Sequence, residues 1–324
     1  MREQAKAIST RLLDQISIFL DSLYRGRDKE IIWVVGGGRS GSTWLQEMIN
    51  FDNKYRYMFE PFHPVTAGEI RDIGYYKYIR PEYKDESFFN LASRIFSGRF
   101  YHPRVIRGGR IHSSKLLIKD IFGNLLIKWV GKNFPRVKKI LIMRHPFATT
   151  LSKQKLKDWE WMTEPVQFFE QPELFQDWLE PFEDLIRKTK GFFEKQVLIW
   201  SIVHYIPLKQ LDRREIHLVF YEQLCSDHEN ELKRLISYLY DEDERQDLDP
   251  RLLEKINEPS FTSRKDSAIK RGGNLCDVWR RGLSDSQIYE GIGILRIFGL
   301  DRIYNESLMP NREAAEDFLK ASGD

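Results

Sequence analysis

The stretch that decides the fold is Ile31-Ile32-Trp33-Val34-Val35 running into Gly36-Gly37-Gly38-Arg39-Ser40-Gly41-Ser42-Thr43. Five consecutive apolar residues ending at a run of glycines read as a buried strand. The glycines after it let the backbone turn tightly and aim its N–H groups inward. A helix starting near Trp44 adds unsatisfied donors and about half a positive charge at its first turn. Strand, glycine turn and helix start together form a holder for a phosphate or sulfate group.

Other elements extend the pattern outward from this corner. Apolar runs at 115–118, 139–143 and 216–221, with a weaker one at 55–59, read as further buried strands. Helical stretches alternate with them at 43–50, 124–133, 146–157, 182–211 and 222–240. Strands separated by helices predict an α/β fold of three layers with a central parallel sheet. In such sheets ligands bind beyond the carboxyl ends of the strands. The loops after Val35, Phe59, Ile118 and Met143 are therefore where chemistry is expected.

Composition narrows the options. The chain has 324 residues, 41% of them hydrophobic, which is enough for a sizeable core. Its 51 basic and 48 acidic residues leave a net charge of only +3, so an anion site must be local. No apolar run approaches the about 20 residues needed to span a bilayer, and Asp14 and Asp21 interrupt any signal-peptide core. A cytoplasmic protein is expected. Residues 1–28 read as a helical extension, with an apolar stripe from Ile8 to Leu23 that packs on the domain or touches a membrane surface. Residues 29–324 form one domain with insertions near 62–114 and 158–184. Cys225 and Cys276, far apart in sequence, are expected as two free thiols.

The glycine turn departs from the nucleotide-triphosphate loop it superficially matches. Gly36 and Gly41 frame four residues, but Ser42 stands where that loop has Lys, and the cation is Arg39. No apolar strand is read as ending in the acid that would help hold magnesium, and no metal ligand cluster is evident. A P-loop kinase or nucleotidase is thereby disfavoured. A non-catalytic nucleic-acid-binding module is a further alternative. It would use the 94–115 stretch, which has six Lys/Arg and no Asp or Glu.

Gly38-Arg39-Ser40-Gly41-Ser42-Thr43-Trp44-Leu45 closely resembles the 5′-phosphosulfate loop of sulfotransferases. Arg144-His145-Pro146, with Ser152 eight residues after the arginine, resembles that family's 3′-phosphate site. Arg144 leaves a strand end and Ser152 lies one or two turns into the next helix, so both can reach one phosphate. Tyr221-Glu222-Gln223-Leu224 is similar to the family's tyrosine-acidic turn. Pro259-Ser260 through Lys270-Arg271-Gly272 to Trp279 looks like its late basic loop, although Gly272 and Trp279 stand two residues further apart than in the cytosolic subfamily. The resemblance spans about residues 31 to 305 and lies closer to carbohydrate-modifying and bacterial members.

That resemblance implies a P-loop-NTPase-like sulfotransferase fold and transfer of a sulfuryl group from 3′-phosphoadenylyl sulfate (PAPS) to a carbohydrate or small lipidic alcohol. The product would be 3′,5′-adenosine bisphosphate, with no metal required. It implies that Gly38, Arg39, Ser40, Gly41, Ser42 and Thr43 hold the 5′-phosphosulfate, Arg39 serving the leaving oxygen. Arg144 and Ser152 would hold the 3′-phosphate, and Lys270, Arg271 and Gly272 would close over it. Trp44 either stacks on adenine or is core, and Tyr221 either contacts adenine or packs. The cytosolic subfamily's base, a His two residues after a Lys that resembles Lys119, is replaced by Ile121. Carbohydrate sulfotransferases show an aromatic-Glu-Pro segment instead, matched by Phe59-Glu60-Pro61, so Glu60 is the leading base, or a carboxylate paired with a nearby cation. His63 stands behind it, with His112 weaker. Lys119 approaches the transferring group or pairs with Asp120. The 158–184 insertion, with nine acids and no base, reads as a lid or acceptor wall.

Overall fold

A computed structural model describes residues 30–67, 74–100, 102, 104–109, 113–156, 159–241, 248–256, 258–261 and 276–319. The helical extension 1–28 and Lys270, Arg271 and Gly272 lie outside these residues. Six strands form one sheet: β1 (Glu30–Gly36), β2 (Arg56–Phe59), β3 (Ile106–Gly109), β4 (Lys115–Asp120), β5 (Val137–Met143) and β6 (His217–Phe220). Their order is β3-β2-β4-β1-β5-β6. All neighbours are parallel except β2 and β3, which pair antiparallel at one edge. The edge strand β3 escaped the sequence reading because Ile106-Arg107-Gly108-Gly109 carries one apolar residue and no alternation.

Alternation along the strands divides the core into two layers. Trp33 and Val35 of β1, Leu141 and Met143 of β5 and Leu218 and Phe220 of β6 face one side. Ile32 and Val34, Ile140 and Ile142, and Val219 face the other. Both faces are covered, which is why these strands read as unbroken apolar runs.

The helices follow the same division. On the second face lie α1 (Ser42–Ile49), α7 (His228–Leu239) and α8 (Pro250–Ile256), through residues such as Leu45, Leu235 and Leu252. On the first lie α2 (Glu86–Phe96), α3 (Ile127–Asn133), α4 (Pro146–Gln154), α5 (Phe192–Gln210), α9 (Asp285–Ile297) and α10 (Arg312–Phe318). The short helix α6 (Tyr221–Ser226) follows β6 directly.

Several expected helices are shorter or divided. Helix α4 stops at Gln154 rather than 157. The 182–211 stretch breaks at Gly191, whose φ of 83° is open to glycine. The 222–240 stretch breaks at Asp227, and 124–133 begins with a 3₁₀ turn at Asn124–Leu126. Cys225 and Cys276 are free thiols, yet the fold brings them within hydrogen-bonding reach of each other.

Glu222 ties the carboxyl ends of the strands to the C-terminal part of the chain. Its Oε1 accepts from the His145 N–H at 2.8 Å, and its Oε2 accepts from the Tyr304 hydroxyl at 3.0 Å. All three residues are buried, so each donor would be costly without its acceptor. Glu222→Leu should destabilise the protein by about 2–4 kcal/mol, the cost of two buried donors left unsatisfied. A lower urea midpoint with unchanged slope would show it, and Glu222→Gln, which keeps one acceptor, should fall between.

Candidate active site

The glycine loop is packed on three sides. At Gly36 a Cβ would meet Ile142 and the Ser40 hydroxyl at 2.7 Å. At Gly38 it would lie 2.2 Å from the edge of the Trp159 indole, and at Gly41 2.5 Å from the Tyr221 ring. Gly41 has φ 92° and caps α1 without a side chain, while Arg39 holds φ 71° in the same turn. Non-glycine residues reach that region only at a cost, and such strain collects at ligand-holding turns.

Three expected anion-binding side chains meet at this turn. The Arg39 guanidinium donates from Nε to the Ser152 hydroxyl at 3.0 Å. Arg144 donates from Nη1 to the Arg39 carbonyl at 3.2 Å, and its guanidinium lies 4.1 Å from the Tyr221 ring centroid. Sheet register explains the convergence: Gly36 stands beside Ile142, and Met143 beside Phe220, so Arg144 and Tyr221 leave their strands next to the loop. The Ser40 hydroxyl is buried and has no hydrogen-bond partner among the described residues. An inward hydroxyl of that kind, beside backbone donors and two guanidinium groups, fits a phosphate or sulfate oxygen. Ser42 and Thr43 open α1 on the same turn. Trp44 is buried against Tyr221, ring centroids 5.5 Å apart, which favours the core reading of that residue over a face offered to adenine.

His145 of the Arg-His-Pro element is structural. Its Nδ1 accepts from the Phe147 N–H, capping α4, while its Nε2 faces the Asn305 carbonyl at 2.9 Å and Trp279 stacks on the ring. Burial holds the imidazole down at about 3, hence neutral.

The second half of the site stands two strands away, about 10 Å from β1 at ordinary strand spacing. Glu60 follows β2, and its N–H continues the ladder by donating to the Lys119 carbonyl at 2.6 Å. Its φ of 51° then turns the chain out of the sheet. Its carboxylate forms a buried ion pair with the Lys119 ammonium, which also lies 4.5 Å from the Phe59 ring centroid. Lys119 therefore pairs with Glu60 rather than Asp120, because successive strand residues point to opposite faces.

Asp120 corrects the expectation that no strand ends in an acid, since β4 includes it. It is spoken for: Oδ2 accepts from the Trp33 indole N–H at 2.8 Å and Oδ1 from the Phe62 N–H at 3.0 Å. Burial raises its acid to about 7, against the two hydrogen bonds that favour the ionised form. His63 is buried and packs edge-on to Phe122 and Trp161 at 5.1 and 5.0 Å. Burial lowers its pKa, opposed by Glu60. Its Nδ1 accepts from the Val65 N–H at 3.1 Å, so the neutral ring carries its proton on Nε2 and has no lone pair free for base catalysis. His112 lies outside the described residues.

The acidic insertion packs across the site. Asp177 accepts from Tyr78 and Arg80, Gln171 bonds Tyr76 and Tyr78, and Phe168 is core. At its start Trp159 lies on Gly38 and packs on Trp161 with centroids 5.1 Å apart, which in turn meets His63. The sequence reading placed these tryptophans in a lid; their contact with the glycine loop was not legible there. In the basic 94–115 stretch, residues 101, 103 and 106–112, with Arg107 and Arg110 among them, lie outside the residues whose side chains are described. Among the described residues no group of three His, Cys, Asp or Glu could hold a metal. Among them, too, no helix is long and apolar enough to cross a membrane.

A family model described as "Sulfotransferase family" matches residues 32–243, covering strand β1, the glycine loop, Glu60, Arg144 and Tyr221. The chain belongs to the sulfotransferase family. Among solved structures, this sulfotransferase is similar to the sulfotransferase domain of the Synechococcus PCC 7002 olefin synthase, at 16% identity over 84% of this chain and 96% of that one, with a TM-score of 0.48. It is similar to sulfotransferase STF9 from Mycobacterium avium at 12% identity over 89% and 79%, TM-score 0.47. Mouse sulfotransferase SULT7A1 complexed with PAP aligns at 15% identity over 92% and 90%, TM-score 0.44. No curated protein sequence matches the chain.

The buried Asp120 gives this sulfotransferase a testable pH dependence. Unfolded, the acid titrates at about 3.9; folded, at about 7. The folded state thus holds the proton more tightly, and this contribution is full below about pH 4 and lost as pH rises through 7. Thermal midpoints should fall between pH 5 and 8, and Asp120→Asn should flatten part of that slope while lowering the midpoint at pH 5. An unchanged slope in the variant would show that other groups set it.

Proposed function

We propose that this sulfotransferase transfers a sulfuryl group from PAPS to the hydroxyl of an acceptor, with Glu60 as the base. The observation that carries the donor is the bonded set Arg39, Ser152 and Arg144 at one glycine turn. In this reading the N–H groups and hydroxyls of Gly38 to Thr43 hold the 5′-phosphosulfate. Arg144 and Ser152 take the 3′-phosphate, and Tyr221 flanks the nucleotide. Lys270, Arg271 and Gly272 close the 3′-phosphate from the late loop. Arg39, now on Ser152, would turn to the bridging oxygen where negative charge builds as the bisphosphate leaves.

The acceptor side follows from the Glu60–Lys119 pair. A hydroxyl seated in line with the sulfur would donate its proton to the Glu60 carboxylate as its oxygen bonds to sulfur and the sulfur–oxygen bond to the bisphosphate breaks. Lys119 would hold the Glu60 carboxylate in position, and can share its ammonium with the sulfuryl oxygens. His63, with Nδ1 engaged, supports the aromatic wall rather than serving as base. The half-exposed Tyr75 and Trp161 beside it suit a sugar or lipidic alcohol. A cytoplasmic location completes the proposal.

Calorimetry with 3′,5′-adenosine bisphosphate, and with ATP–Mg²⁺ as comparator, tests the donor. Metal-free binding of the bisphosphate, weakened at least about a hundredfold by Arg144→Ala for loss of a charged bidentate contact, is expected. Preference for ATP–Mg²⁺ would overturn the reading in favour of a P-loop kinase or nucleotidase. For the base, Glu60→Gln should lower turnover by about 10²–10⁴-fold while leaving bisphosphate affinity near wild type. Turnover within about threefold of wild type would make Glu60 purely structural.

A further inference from the structure

Lys153, next to Ser152 on α4, has no part in the scheme above, yet it is a lysine buried in the protein interior. It is 4% exposed. Its Nζ donates to the Gln196 Oε1 at 2.9 Å and lies 5.0 Å from the Trp159 ring centroid. Gln196 is itself fixed by donating to the Met162 carbonyl at 2.9 Å. Among the described residues no carboxylate pairs with this ammonium. Buried lysines without an acid are expensive and rarely kept without a use.

Its surroundings connect it to the glycine loop. The indole under its ammonium is the one whose edge covers Gly38. The preceding hydroxyl, Ser152, accepts from Arg39. On α5, His204 has its Cε1 3.8 Å from where a Gly37 Cβ would stand and also feels the Lys153 charge. Among the described residues, His204 on α5 and Arg39 on the loop are titratable or charged groups facing this corner; Gln196 and Trp159 are neutral. Burial pulls His204 down to about 4, so it carries no competing charge at neutral pH.

We propose that Lys153 is a positioning residue of the donor site, its buried ammonium taking its counter-charge from the phosphates bound at the neighbouring loop and holding Trp159 over Gly38 while they are bound. The inference rests on the PAPS reading. Burial alone brings the free ammonium to about 7. A single anionic charge about 8 Å away raises such a titration by about one pH unit or more at an effective dielectric near 20. Ligand binding should therefore draw a proton onto Lys153 above pH 7. Affinity then falls as pH rises past 7, because the free protein must first gain that proton.

The test is calorimetry of 3′,5′-adenosine bisphosphate at pH 7, 8 and 9, in buffers of different ionisation enthalpy. Wild type should take up roughly half a proton or more per ligand at pH 8 and lose about tenfold in affinity between pH 7 and 9. Lys153→Met should bind more weakly at pH 7, lose that uptake and show a flat profile. Lys153→Gln serves as a second neutral variant should the first fail to fold. No uptake in wild type, or the same uptake in either variant, overturns the role of Lys153 while leaving the donor assignment intact. No bisphosphate binding at pH 7 in wild type overturns both.

Discussion

The structure depends on a turn in which three positions have no room for a side chain. Three glycines of the loop are approached so closely by Ile142, Trp159 and Tyr221 that even a methyl group would displace them. Those neighbours come from β5, from the insertion after α4 and from the start of α6. Close approach is therefore what lets separate parts of the chain meet around one turn. It also explains why a loop with two cations nearby remains a defined shape rather than a flexible basic patch. The left-handed turn at Arg39 and Gly41 aims backbone donors and the Ser40 hydroxyl into the same small space.

Sheet order then decides which chemistry lies next to that turn. With β4 and β5 on either side of β1, the ends of both strands flank the loop. One flank contributes Arg144, beyond it Tyr221, and through α4 Ser152. The other contributes Lys119 and, one strand further, Glu60. The Arg39–Arg144–Ser152 cluster and the Glu60–Lys119 pair thus stand at strand ends on opposite sides of the glycine loop. Each half is held by residues immediately past strand ends, where backbone geometry is fixed by the ladder and side chains leave the sheet.

Much of this was legible in sequence where a residue type had to satisfy a local rule. Unbroken apolar runs marked strands buried on both faces, and glycine followed by a helix start marked the loop. The arginine at a strand end and the serine eight residues on marked two side chains that the fold brings to that loop. What the sequence hid was set by tertiary contacts. Edge strand β3 has no hydrophobic pattern of its own and exists because β2 offers it a ladder. Asp120 looked like an ordinary residue after a lysine until the fold enclosed it between Trp33 and Phe62. The partner of Lys119 could not be chosen from its neighbours in sequence, since the strand sends Lys119 and Asp120 to opposite faces.

The distribution of charge explains how a nearly neutral chain can build an anion site. Among the described residues, three buried carboxyl groups stand near the strand ends, and each accepts from a partner. Glu222 accepts from His145 and Tyr304, Asp120 from Trp33 and Phe62, and Glu60 pairs with Lys119. Burial moves Asp120 and Glu222 toward their neutral forms, which weakens their claim on nearby cations. Arg144 donates to the Arg39 carbonyl and lies over the Tyr221 face, and Arg39 donates to the Ser152 hydroxyl. The character of the glycine turn therefore follows less from the chain's net charge of +3 than from which groups the fold brings beside it.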